Sequence, residues 1–152
     1  MLKEGELAPE FTALDHTGKE VKLSDFRGKK VWLWFFSSPG GSNCTRHSHG
    51  YRDNYPDLIE RGIEVLGVNA RDQESVRAWV EKESLPFPVI LDSERTIAVA
   101  YGMSKGDDGP YLANSAEGRR PAVIVDINGL VLRWLPDLAT VEEQIKVLSS
   151  LG

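Results

Sequence analysis

The feature that most constrains this chain is the run Val31-Trp32-Leu33-Trp34-Phe35-Phe36, its longest apolar stretch. Six bulky residues are strand length, and they leave no polar side on either face. A strand with two apolar faces must be covered on both, which is the position of a central strand between helical layers. The segment after it, Ser37 to Asn43, holds three serines, two glycines and a proline before Cys44. This composition reads as a strand-to-helix loop.

The rest of the chain fits around that strand. Asp15-His16-Thr17-Gly18 is a turn signal, and Val21-x-Leu23 alternates after it. Residues 24–28 read as a short helical turn. A helix is expected from near Cys44 to Arg61, stopped by Gly62, with Pro56 kinking or dividing it. A strand follows over 63–68. Residues 72–83 are helical, with Val76, Trp79 and Val80 on one face and Pro86 as the stop. Residues 87–91 form a strand. Ser93 caps a helix that runs to Tyr101 and ends at Gly102. Residues 104–117 are a polar loop. Residues 122–125 and 130–134 are strands joined by an Asn-Gly turn at Asn128-Gly129. Thr140-Val141-Glu142-Glu143 is a capping box opening a last helix that buries Val141, Ile145 and Leu148. Strand-helix alternation followed by an antiparallel hairpin implies an α/β fold, with a mixed sheet flanked by helices on both faces. The four tryptophans fall on strands or helix faces and read as core.

A chain of 152 residues suggests one domain over 1–152, large enough to be stable without a disulfide or structural metal. The net charge is −5, and the basic residues are scattered. Nucleic acid is therefore not an expected partner, because phosphate binding needs a basic stripe. No run reaches the length of a membrane span. The polar opening, Met1-Leu2-Lys3-Glu4-Gly5-Glu6, does not read as a leader. One cysteine cannot form an internal disulfide, which fits a reducing compartment and makes the cytoplasm the expected location.

Ligands in such folds sit where a strand's carboxyl end meets a helix N-terminus. Only the loop from Ser37 to Cys44 combines that place with reactive side chains. A helix N-terminus offers unpaired amides and partial positive charge, and a nearby arginine adds a full one. Together they would lower the pKa of the Cys44 thiol and make it nucleophilic. The alternative is an inert buried thiol, a common fate of free cysteine.

Several segments carry a family resemblance. They are Gly5-Glu6-Leu7-Ala8-Pro9-Glu10-Phe11, Leu23-Ser24-Asp25-Phe26-Arg27-Gly28 with the strand after it, Gly50-Tyr51-Arg52-Asp53-Asn54, residues 63–69, and Leu91-Asp92-Ser93 leading to Ala100-Tyr101-Gly102. In this order and spacing, over nearly the whole chain, they resemble the peroxiredoxins, of the short group that includes the bacterioferritin-comigratory proteins. The resemblance implies a thioredoxin-like fold and a thiol-dependent peroxidase. The family motif is Pro-x-x-x-Thr-x-x-Cys with an arginine on a later strand. Cys44 matches the cysteine, Thr45 the threonine that often follows it, and Arg120, six residues before Asp126, the arginine. The motif proline is Ser37 here and the motif threonine is Gly41. A glutamate expected three residues after the cysteine is His47, and the resolving cysteine that some members carry five residues on is His49.

The resemblance thus implies Cys44, Arg120 and Ser42 as catalytic residues. Ser42 is adjacent to the missing threonine and able to supply its hydroxyl. Ser37, Gly41, Thr45 and His47 are the residues expected around the substrate. The implied partners are a peroxide and an external thiol reductant such as thioredoxin, glutaredoxin or a small thiol, acting on a monomer or homodimer without a cofactor. Arg52, two turns into the helix, reads as solvated or ion-paired rather than catalytic. Two other readings use the same residues. One is a redox-silent binding domain. The other is a metal site of Cys44, His47 and His49, since thiolate and imidazole ligate zinc and copper.

Overall fold

The computed structural model describes residues 3–35, 42–69, 72–92, 94, 96–101, 122–135, 146–147 and 150, with the side chains of 42–47, 98, 134 and 135 excepted. Strands β1 (Thr12–Leu14) and β2 (Glu20–Lys22) form an antiparallel hairpin, followed by a 3-10 turn at Leu23–Phe26. Then come β3 (Lys30–Phe35), α1 (Ser42–Glu60), β4 (Ile63–Asn69), α2 (Gln73–Glu83), β5 (Val89–Leu91), α3 (Thr96–Ala100), β6 (Ala122–Val125) and β7 (Val131–Leu135).

The main sheet has five strands in the order β5-β4-β3-β6-β7. β3 is its middle, parallel to β4 and antiparallel to β6, so the sheet is mixed as expected. The alternation of β3 divides the core. Val31, Leu33 and Phe35 join Phe11, Leu23, Ile97 and Tyr101 on one face. Trp32 and Trp34 join Tyr51, Leu58, Val76 and Trp79 on the other. Helices α1 and α2 therefore cover one face, while α3 and the N-terminal hairpin cover the other. Val147 also packs against the tryptophan-containing cluster.

Several local expectations are corrected. α1 begins at Ser42, near Cys44 as expected, and of the two effects expected at Pro56 the division does not occur. Proline removes one intrahelical bond, but Tyr51 and Leu58 on either side are buried in one core, and tertiary packing carries the helix through. α2 stops at Ser84, ahead of Pro86. Ser84 takes left-handed dihedrals (φ 54°, ψ 47°), and its N–H reaches the Glu81 and Val80 carbonyls. β5 starts at Val89 rather than at residue 87, because Pro86 and Pro88 bring no N–H to a ladder. The Ile97 N–H in the first turn of α3 donates to the Asp92 carboxylate at 3.0 Å. Ser93, expected in the capping role, lies outside the described residues.

The β6–β7 connection is not a two-residue Asn-Gly turn, which needs positive φ at both residues. Only Gly129 has it, at 88°. The Gly129 N–H closes a turn onto the Asp126 carbonyl, and the Asp126 carboxylate accepts from the Asn128 and Leu130 amides. Leu130, expected in the strand, instead bridges to Leu7. The polar loop at 104–117, Gly102, the capping box at 140–143, and Val141, Ile145 and Leu148 lie outside the described residues.

Candidate active site

Cys44 is the third residue of α1, which follows the carboxyl end of the central strand. The amides of a helix's first four residues have no intrahelical acceptor. In this helix those are residues 42–45, so Cys44 and Thr45 lie within the turn whose N–H groups are open to an anion.

The row of α1 that contains Cys44 is fixed by its later members. Ser48, Tyr51 and Leu58 are buried, and Tyr55 is partly buried against the same core. Cys44 precedes Ser48 by one helical turn in that row. Under the row lies an aromatic floor. Tyr51 Oη accepts from Trp32 Nε1 at 3.2 Å, and the Tyr51 ring meets Trp34 edge-on with centroids 5.0 Å apart. Tyr55 Oη donates to the buried Glu64 carboxylate at 2.8 Å, and burial with that carboxylate raises the phenol's pKa.

The other expected site residues divide into two groups. Ser42 and His47 lie in α1 with Cys44 and Thr45, but the side chains of all four are outside the described set. Ser37, Gly41 and Arg120 lie outside it entirely. The sheet nevertheless relates the two chain segments. Ala122, the first residue of β6, pairs with Trp34, one residue before the end of β3. β6 therefore starts at the end of the sheet from which β3 leads to α1. Arg120 precedes that start by two residues in the sequence.

His49 is described, and its Nε2 lies 2.5 Å from Glu83 Oε1 at the end of α2. One nitrogen of the third ligand in the metal reading is therefore engaged with a carboxylate. Among the described residues there is no group of three or more metal-ligating side chains. Arg52 is ion-paired, as expected, with Asp53 at 3.1 Å, and also donates to the Glu83 carbonyl at 2.8 Å. Glu83 was not foreseen in this role, since it lies 34 residues from His49. Among the described residues no helix is long and apolar enough to cross a membrane.

Comparison with known proteins agrees with this geometry. The AhpC/TSA family model matches residues 5–133. The chain is 28% identical over 151 residues to Peroxiredoxin Bcp of Escherichia coli, covering 99% of this chain and 96% of that one. The crystal structure of peroxidoxin BcpB from Mycobacterium tuberculosis superposes with a TM-score of 0.86 at 20% identity, over 99% of this chain and 97% of that one. A yeast mitochondrial 1-Cys peroxiredoxin, described with a thiol resolving mechanism via glutathione and thioredoxin systems, gives 0.81 at 20% identity, over 99% and 76%. With Cys44 in the first turn of the helix that follows the central strand and a family match over residues 5–133, the chain belongs to the AhpC/TSA family, as a peroxiredoxin of the bacterioferritin-comigratory-protein group.

Proposed function

We propose that this chain, as one domain over residues 1–152, is a one-cysteine peroxidase. The observation that carries the proposal is the position of its single thiol. Cys44 lies in the first turn of α1, beyond the carboxyl end of the central strand, in a peroxiredoxin fold. The Cys44 thiolate attacks one oxygen of hydrogen peroxide or an organic hydroperoxide, and the O–O bond breaks. The sulfur keeps one oxygen as sulfenic acid. The other leaves as water or alcohol after taking a proton. Arg120 and the amides of the first turn of α1 stabilise the charge that develops on the oxygens.

Ser42 supplies the hydroxyl that aligns the peroxide, in place of the threonine replaced by Gly41. Ser37, Gly41, Thr45 and His47 shape the pocket around it. An external thiol then condenses with the sulfenic acid, releasing water, and a second thiol frees Cys44 as a disulfide leaves. Thioredoxin, glutaredoxin or a small thiol fits this step, and the yeast 1-Cys relative is described with such systems. A free thiol that must be recycled by thiols suits the cytoplasm. The chemistry uses one chain, in a monomer or a homodimer.

The test is peroxide consumption by wild type and Cys44→Ser, with thioredoxin and with glutathione. Wild type turns over with at least one reductant and Cys44→Ser does not. Equal consumption by the two proteins would end the proposal. Ser42→Ala should slow peroxide attack by roughly ten- to a thousandfold, the range for one lost transition-state hydrogen bond.

A further inference from the structure

Helix α1 meets the end of α2 through two side chains on one face. His49 Nε2 lies 2.5 Å from Glu83 Oε1, and Arg52 Nη1 donates to the Glu83 main-chain carbonyl at 2.8 Å. Residues three apart on a helix are neighbours, so α1 grips a single residue of α2 by both its side chain and its backbone. That residue is itself held. Glu83 ends α2, and the left-handed Ser84 behind it bonds back to the Glu81 and Val80 carbonyls. The His49 and Glu83 side chains are 37% and 13% exposed. A contact to a carboxylate that is largely out of water is stronger than an ion pair on an open surface.

His49 lies off the buried row of Ser48, Tyr51 and Leu58. The row sets the height of α1 above the sheet. The grip on Glu83 resists rolling about that row and sliding along it. Arg52, beside this contact, also pairs with Asp53.

We propose that His49 and Glu83 are positioning residues for Cys44. Their contact holds the first turns of α1 folded and in register with the sheet, and so keeps the open amides of that terminus beside residue 44. This rests on the reading of Cys44 as the nucleophile. Helix ends open locally at low free-energy cost, and the field of a helix end is confined to its last turn. A first turn that frays therefore loses its effect on the thiol. His49 stands five residues after Cys44, about one and a half turns along the helix. The chain has no second thiol to which Cys44 must be brought by unfolding. A helix clamped shut through the whole cycle is compatible with an external reductant.

The experiment measures thiolate absorbance against pH, and the second-order rate with hydrogen peroxide, for wild type, His49→Ala, His49→Gln, Glu83→Ala and the double alanine variant. His49→Ala should raise the thiolate midpoint by roughly 0.2–0.7 pH units, the size of a helix-terminus effect. Glu83→Ala should match it, and the double variant should be no worse than either single one. His49→Gln retains an N–H for the Glu83 carboxylate and should restore most of the loss, which a general loss of stability would not explain. Near-ultraviolet circular dichroism of the buried tryptophans establishes that each variant is folded. A wild-type midpoint in folded His49→Ala and Glu83→Ala overturns the clamp while leaving the peroxidase intact. His49→Gln as impaired as His49→Ala also overturns it. A wild-type protein whose own midpoint is that of free cysteine overturns the underlying reading as well.

Discussion

Tyr51 ties the helix that carries the thiol to the strand beneath it. Its hydroxyl accepts the Trp32 indole N–H, and its ring packs edge-on against Trp34 and Phe87, all of them buried. Tyr51→Phe keeps the ring and removes the acceptor, stranding a buried N–H. The expected loss is about 1–3 kcal/mol, the desolvation penalty of one unsatisfied donor. Urea unfolding should show a lower midpoint with an unchanged slope, since the same surface is exposed. An unchanged midpoint would mean that the indole N–H finds another partner. At this scale the sequence was legible where a residue's fate follows from its own strand. Trp32 and Trp34 read as core because β3 is apolar on both faces, and both are fully buried. Tyr51 gave no such signal, because its role depends on a strand 19 residues away.

Between elements, the β1–β2 hairpin is latched to β5 by a titratable side chain. β5 ends the five-stranded sheet, and an edge strand carries outward amides that need acceptors. Asp15 bridges to Ile90, and beside that bridge the Val89 N–H donates to His16 Nδ1 at 3.3 Å. An imidazole can accept there only when neutral, with its proton on Nε2. The pKa of His16 is lowered from its ordinary 6.5, by burial above all and by the charge of Arg77, against the opposing carboxylates of Asp15 and Glu81. A base with a lowered folded-state pKa binds protons more readily when unfolded. Its contribution is therefore whole above the ordinary value and is lost as pH falls through the lowered one. Stability should decline with falling pH in the window just below the ordinary 6.5 in wild type and less so in His16→Asn, whose amide oxygen can accept without titrating. Glu10 and Asp15 have pKa values held below the usual carboxylate range by hydrogen bonds that outweigh their burial, so they titrate outside this window. Parallel slopes in wild type and His16→Asn would remove the latch. Element order and type were legible from periodicity and turn residues, as the hairpin at Asp15–Gly18 and the Gly62 stop show. This latch was not, because His16 and Val89 lie 73 residues apart.

Across the whole molecule, two cores lie on opposite faces of one sheet, the helix that follows its central strand carries Cys44 in its first turn, and the sequence holds no second cysteine. The position of Cys44 on the fold was readable because a loop rich in glycine and serine after an apolar strand leads to a helix start. The setting of that helix was not readable, since it depends on pairings between distant segments such as Trp34 with Ala122. The missing second cysteine has a consequence for the oxidised protein. Sulfenic acid ordinarily disappears by condensing with a thiol. On the proposed one-cysteine mechanism it persists until an outside thiol arrives or a second peroxide attacks. One equivalent of hydrogen peroxide should therefore add one oxygen to Cys44, trapped by a carbon nucleophile and seen by intact mass. Excess peroxide without thiol should add a second oxygen, giving sulfinic acid that thiols do not reverse. Excess thioredoxin or glutathione, supplied first, should divert the protein from that product. Between two copies of this chain, the disulfide would be Cys44 to Cys44. Cys44→Ser, treated in parallel, subtracts any oxygen taken up by the two methionines. A wild-type mass that gains no more oxygen than Cys44→Ser would show a thiol that does not react with peroxide, and the peroxidase proposal would not survive that result.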